Sequence, residues 1–197
     1  MYEHLRGTID RITPTEVVLD VQGVGYFVNI SVATYERISK SKEAKLLVHE
    51  VIREDTHDLY GFADEQERAL FRLLIGVSGV GPNTARVILS SLTAVQLQQA
   101  VLSGDHSMLK AVKGIGLKTA QRIVVDLKDK ISLAGLAAAD SAGTVSVAGN
   151  DNYDEAFAAL LMLGFNRQAV QKALSKLYGE DPTITAETAI KRALKLL

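Results

Sequence analysis

The 197-residue sequence has no cysteine. That excludes disulfides, thiolate metal sites and cysteine nucleophiles, and it fits a reducing cytoplasm. The opening residues, Met1-Tyr-Glu-His-Leu-Arg6, lack the basic start and following apolar run of an export signal. Nowhere do about 18 uncharged apolar residues follow one another, the length that a membrane-spanning helix requires. A soluble cytoplasmic protein without a membrane partner is expected. Charge of one sign is scarce too: 22 Lys and Arg stand against 23 Asp and Glu, a net charge of −1. Binding a polyanion depends on concentrated Lys and Arg, so the total argues against that class.

The distribution reverses this argument. Residues 1–65 carry 7 basic and 12 acidic side chains, residues 66–132 carry 9 and 4, and residues 133–197 carry 6 and 7. The middle third, at +5, is the basic region, and charge asymmetry of this kind is a footprint to follow towards a nucleic-acid partner.

The length favours two or three units with separate cores. Alternating β-branched residues predict strands over 2–9, 16–21, 26–32, 45–52 and 59–62, with a short helix near 33–38. Gly23 and Gly25 mark one turn. Five short strands suggest an OB-type barrel over residues 1–64, an SH3-like barrel being the alternative. From Glu65 the period becomes helical, with Leu70, Phe71, Leu73 and Leu74 as the first apolar stripe, and it continues through 65–133. Residues 134–152 hold no Lys, Arg or aromatic residue and read as a flexible linker. Residues 153–197 predict a three-helix bundle, with Asn166 and Thr185 as N-caps and Gly164 ending the first helix. The expected apolar faces are Phe157, Leu160 and Leu161, then Val170, Leu174 and Leu177, then Ile190, Leu194 and Leu197. The fold class is α+β and multidomain.

The basic region contains a repeat. Residues 76–92 match residues 111–127 at seven of seventeen positions, including Val77, Gly79, Gly81, Thr84 and Ala85 against Val112, Gly114, Gly116, Thr119 and Ala120. Each copy reads as helix, Gly-hydrophobic-Gly, helix, a helix-hairpin-helix. Two glycines let the turn approach a phosphate closely, while Val80 and Ile115 anchor it in the core. The second helix adds its unpaired N-terminal N–H groups and the positive end of its dipole. Such contacts hold DNA without reading its bases. Arg86 and Asn83 in the first copy, and Lys113, Lys118, Thr119 and Arg122 in the second, are the further candidates for the DNA backbone. Asn83 stands where the second copy has Lys118, so the second copy is expected to bind more strongly. The bland reading, in which Gly-x-Gly merely joins two helices, loses weight because both copies lie in the only basic region. A nucleotide site fails on spacing, since the first copy lacks the third glycine of a dinucleotide fingerprint and Leu117 stands where a P-loop needs Gly. No cofactor is expected.

Several markers accompany these units: Leu5-Arg-Gly-Thr8, Gly23-Val-Gly-Tyr26, Arg53-Glu-Asp55 leading to Leu59-Tyr-Gly-Phe62, Gly79-Val-Gly-Pro82, and Gly114-Ile-Gly116 followed by Lys118-Thr-Ala120. With the order of units they resemble, over essentially the whole chain, the RuvA family of Holliday-junction branch-migration subunits. The resemblance implies a non-catalytic homotetramer, or an octamer, that holds a four-way junction open and recruits the RuvB ATPase in recombination and DNA repair, with the resolving nuclease RuvC as a further partner. It places Glu54 and Asp55 on an acidic pin at the tetramer centre, where repulsion of phosphates favours strand separation. It also makes the tail a ubiquitin-associated-type bundle that docks the ATPase, with Leu161, Leu163, Phe165, Leu174, Ile190 and Leu194 as candidates for that face. Asn83 and Leu117 depart from the lysines that relatives often carry. Two other readings of the acids stay open from the residues alone: a solvated turn, or, with His57 and Asp58, a metal site for nuclease chemistry.

Overall fold

The computed structural model describes residues 1–133 and 151–197. They form two compact units, each with its own core. The linker expected over 134–152 lies almost wholly outside the described residues.

In the first unit β1 (His4–Thr13), β2 (Glu16–Val21), β3 (Val24–Ile30), β4 (Glu43–Ile52) and β5 (His57–Phe62) close into a barrel of order β1-β2-β3-β5-β4, with α1 (Val32–Ile38) between β3 and β4. The parallel pairing of β3 with β5, through Asn29 opposite Tyr60, marks the OB topology over the SH3-like alternative. Strand β1 runs four residues beyond its expected end. It pairs with β4 over His4–Thr8 and with β2 over Thr8–Thr13, and the register slips between Ile9 and Arg11. Such a bulge bends one strand around a barrel corner, which period-2 alternation does not reveal. The β2–β3 turn falls at Gln22 and Gly23, and β3 already begins at Val24. Val17, Leu19, Val28, Ile30, Leu46 and Val48 fill the barrel.

Five helices follow: α2 (Glu65–Ile75), α3 (Pro82–Ser91), α4 (Ala94–Ser103), α5 (His106–Lys110) and α6 (Leu117–Leu133). Their starts are chemically marked. The Asp64 side chain caps α2 at Glu67 N, and Thr93 with Gln96 forms a reciprocal capping box on α4. The helical core extends onto the barrel wall, because Phe71 of α2 packs on Tyr60 and Phe62 of β5 at ring separations of 5.1 and 4.9 Å. Polar groups reinforce the joint. Buried Glu67 accepts hydrogen bonds from Ser31 and, at 2.7 Å, from Thr34 Oγ1. Buried Arg68 pairs with Glu3 and Glu65, each at 2.5 Å.

The second unit comprises α7 (Asp151–Met162), α8 (Arg167–Glu180) and α9 (Ala186–Ala193). Gly164, at φ 90°, ends α7 as expected: Phe165 N donates to Leu160 O and Gly164 N to Leu161 O, a Schellman motif. Asn166 caps α8 through its side chain, whereas Thr185 sits at the start of α9 without a side-chain cap. The face of α9 differs from expectation. Ala186, Ala189 and Ala193 enter the core with Ile184, while Leu194 and Leu197 are exposed. Small residues let α9 approach its neighbours closely, a signal that a search for large apolar side chains passes over.

Candidate nucleic-acid interface

The two Gly-x-Gly turns have the same backbone. After α2 the chain turns so that Val80 N donates to Val77 O at 3.0 Å; after α5, Ile115 N donates to Val112 O at 3.1 Å. Val77, Val80, Val112 and Ile115 are all buried, and they hold each turn to the core from inside. Gly79 and Gly114 both have φ 89°, where an L side chain is strained. Gly81 and Gly116 have no such φ, and a Cβ there would meet nothing within 4 Å. Their lack of a side chain leaves the backbone open to close approach from outside. Each then starts a helix, with Ala85 N donating to Gly81 O and Ala120 N to Gly116 O, both at 2.9 Å. No side chain caps α3, and Pro82 removes one of its leading donors. The geometry suits an oxyanion at each helix N-terminus.

The cations around these turns divide into two groups. Lys113 and Lys118 flank the second turn, are exposed, and join no ion pair among the described residues. Lys110, in the last turn of α5, is exposed beside them. It precedes the matched segment, so the repeat does not point to it, although its place three residues before Lys113 is a usable signal. The arginines are engaged within the protein. Arg122 Nη1 donates to Ser78 O of the first turn at 3.2 Å, and so joins the two hairpins. Arg86 Nη1 donates to Thr15 O at 2.7 Å and to Asn29 Oδ1 at 3.2 Å, both in the barrel. Asn83 Oδ1 accepts from Tyr60 Oη at 3.3 Å, and Thr84 and Thr119 are half-buried.

Glu54 and Asp55 form the exposed two-residue tip of the β4–β5 hairpin, below the Ile52–His57 pair and the 2.8 Å bond from Arg53 N to Thr56 O. His57 does not join them, because its Nε2 lies 2.8 Å from Glu50 Oε1. That hydrogen bond holds the Glu50 carboxyl below its ordinary range. Among the described residues no group of three or more His, Cys, Asp or Glu is arranged to hold a metal ion.

In the second unit the candidates separate by exposure. Leu174 is fully buried in the bundle core, so it does not face a partner; this corrects the expectation, which rested on a stripe shared by core and surface residues. Leu161, Phe165 and Ile190 pack half-buried against that core. Leu163 and Leu194 are exposed, as is Met162, which lies outside the expected face and is 88% accessible. No described helix is long and apolar enough to cross a membrane.

Comparison with known families finds a match to the RuvA N terminal domain over residues 1–61, to the SAM-like helix-hairpin-helix tandem over 71–129, and to the RuvA C-terminal domain over 151–197. The chain is 49% identical over 201 residues to a Bacteroides fragilis protein, and 46% identical over 202 and 199 residues to proteins of Porphyromonas gingivalis and Flavobacterium psychrophilum. In each case the alignment covers all of both chains. All three relatives are named Holliday junction branch migration complex subunit RuvA.

Proposed function

Because the chain belongs to the RuvA family of Holliday-junction branch-migration subunits, we propose that it binds four-way DNA junctions by structure rather than sequence and recruits the RuvB ATPase that drives branch migration in recombination and repair. The observation that carries this reading is the pair of open Gly-x-Gly turns with the same backbone, set in the basic part of the chain. Gly79, Gly81, Gly114, Gly116 and the flanking N–H groups take phosphates, and Lys113 and Lys118, with Lys110, add charge at the second turn. The protein is a non-catalytic subunit; the motor is RuvB.

The selection of a junction needs more than phosphate contacts. A homotetramer, or two of them as an octamer, presents several hairpin pairs around a centre, and the Glu54–Asp55 tips repel phosphates from that centre. The complex works in the cytoplasm and passes its junction to the RuvC nuclease. Exposed Met162, Leu163 and Leu194 supply apolar surface for the ATPase.

The test is a gel shift with a synthetic four-way junction and a linear duplex of the same arm sequence at stated salt. The wild type is expected to prefer the junction. Glu54→Ala with Asp55→Ala should keep or strengthen binding and reduce that preference. Equal wild-type affinity for both DNAs would refute the junction claim.

A further inference from the structure

The two hairpin copies are related by an offset of 35 residues, so each interaction of one can be compared with its counterpart in the other. Asn83, Arg86 and Ser90 lie three and four residues apart on one face of α3, the first two bonded to the barrel and the third to the start of α1. Asn83 accepts from Tyr60 Oη of β5 at 3.3 Å. Arg86 donates to Thr15 O in the β1–β2 turn and to Asn29 Oδ1 of β3. Ser90 Oγ accepts from Val32 N at the start of α1 at 3.2 Å and donates to Arg86 O at 2.8 Å. On the barrel side Asn29 and Tyr60 are register partners across the β3–β5 joint, and Asn29 Nδ2 donates to Leu59 O at 3.3 Å. The counterparts in the second copy are Lys118, Gln121 and Val125, all exposed, with Val125 73% accessible. The same helix face is a polar seam in one copy and open surface in the other.

We infer that the seam of Asn83, Arg86 and Ser90 against the barrel makes Arg86 a positioning residue for junction recognition, one that orients the first hairpin relative to the β4–β5 acidic tip instead of neutralising a DNA phosphate. The inference rests on the proposed function and assigns a separate role within it. A linear duplex needs only phosphate contacts, whereas a junction needs hairpins and acidic tip held at a set angle. The tip and Tyr60 lie on the same strand hairpin, so fixing α3 to β3 and β5 fixes that angle. The seam bonds of Asn83 and Ser90 involve uncharged groups alone, consistent with a joint rather than an anion site.

The test measures affinity for a four-way junction and for a duplex of the same arms over a salt series, with the full-length chain. Removing one phosphate-neutralising cation lowers the magnitude of the log–log salt slope by about 0.9. Lys118→Ala should lower the slope and weaken both DNAs alike. Arg86→Ala should keep the wild-type slope and reduce the junction-to-duplex affinity ratio by about tenfold, the order expected for removing a hydrogen bond to a charged group. Asn29→Ala, which alters only the barrel side, should reduce the ratio in the same direction, and Arg86→Lys should restore part of it. If Arg86→Ala lowers the slope as Lys118→Ala does, or leaves both slope and ratio unchanged, the inference is overturned. Should Arg86→Ala fail to fold by its melting curve, Asn29→Ala and Ser90→Ala decide, and wild-type ratios in both overturn it. A wild type without junction preference would sink the proposed function instead, while the duplex salt slopes would still tell whether Arg86 meets phosphate.

Discussion

At the scale of single residues, the four hairpin glycines look alike in sequence but carry different constraints. Gly79 and Gly114 sit at positive φ, so an alanine there costs about 1–2 kcal/mol of stability whatever the surrounding space. Gly81 and Gly116 do not, and a Cβ at either meets no protein atom within 4 Å. Gly114→Ala should therefore lower the melting temperature as well as DNA affinity. Gly116→Ala should leave the melting curve close to wild type and still weaken binding, through obstruction of the phosphate. Thermal melts paired with duplex titrations check this, and a Gly116→Ala variant that binds like wild type would remove the close-approach argument. The paired Gly-x-Gly turns are legible in the repeat. Which glycine sits at positive φ is not, because the repeat gives residue identity and φ is set by the path of the whole turn.

Among elements, the joint between barrel and helices is the feature that local patterns miss. Glu67 falls in the first turn of α2, where an acid is ordinarily a surface residue interacting with the helix dipole. Here it is buried, and desolvation raises its pKa against the hydrogen bonds from Ser31 and Thr34 that lower it. A raised acid binds its proton more tightly in the folded state. Its favourable contribution is thus complete below the ordinary value of 4.5 and is lost as pH rises through the raised one. Glu67→Gln cannot titrate and keeps groups able to pair with both hydroxyls. The melting temperature of the variant minus that of the wild type should be small at the acidic end and increase towards neutral pH. A difference that does not change with pH would mean that Glu67 is not the group responsible. Arg68 shows the same limit of local reading: it belongs to the basic region by sequence, but its guanidinium pairs with Glu3 and Glu65 and is withdrawn from the surface.

For the whole molecule, the two units have separate cores and separate tasks in the proposed function. A chain ending at residue 133 keeps the barrel, both hairpins and every residue of the core that joins them. It should bind junction DNA as the full chain does and fail to stimulate the RuvB ATPase. Retained stimulation would place the ATPase site in the first unit, and an absence of DNA binding would mean that the tail contributes to it. The partition of charge acts at this scale too. With Arg68 buried and Arg86 bonded to the barrel, the accessible cations beside the turns, Lys110, Lys113, Lys118 and Arg122, belong to the second hairpin. DNA affinity should depend on that copy, while the first copy governs geometry.

Local and periodic features are legible along the chain: the strand alternation, the change to helical period at Glu65, the duplicated Gly-x-Gly turns, and the caps at Asn166 and Gly164. Those signals arise from backbone preferences within a few residues, so they can be read without knowing what packs on them. Which side chains stay exposed follows from packing between distant parts of the chain. Arg86 meets Thr15 across 71 residues of chain, Arg68 meets Glu3 across 65, and Leu174 lies in the core while Leu194, just past the neighbouring helix, does not. Charge and hydrophobicity belong to the residue, but exposure belongs to the packing, and that depends on residues far apart in the chain.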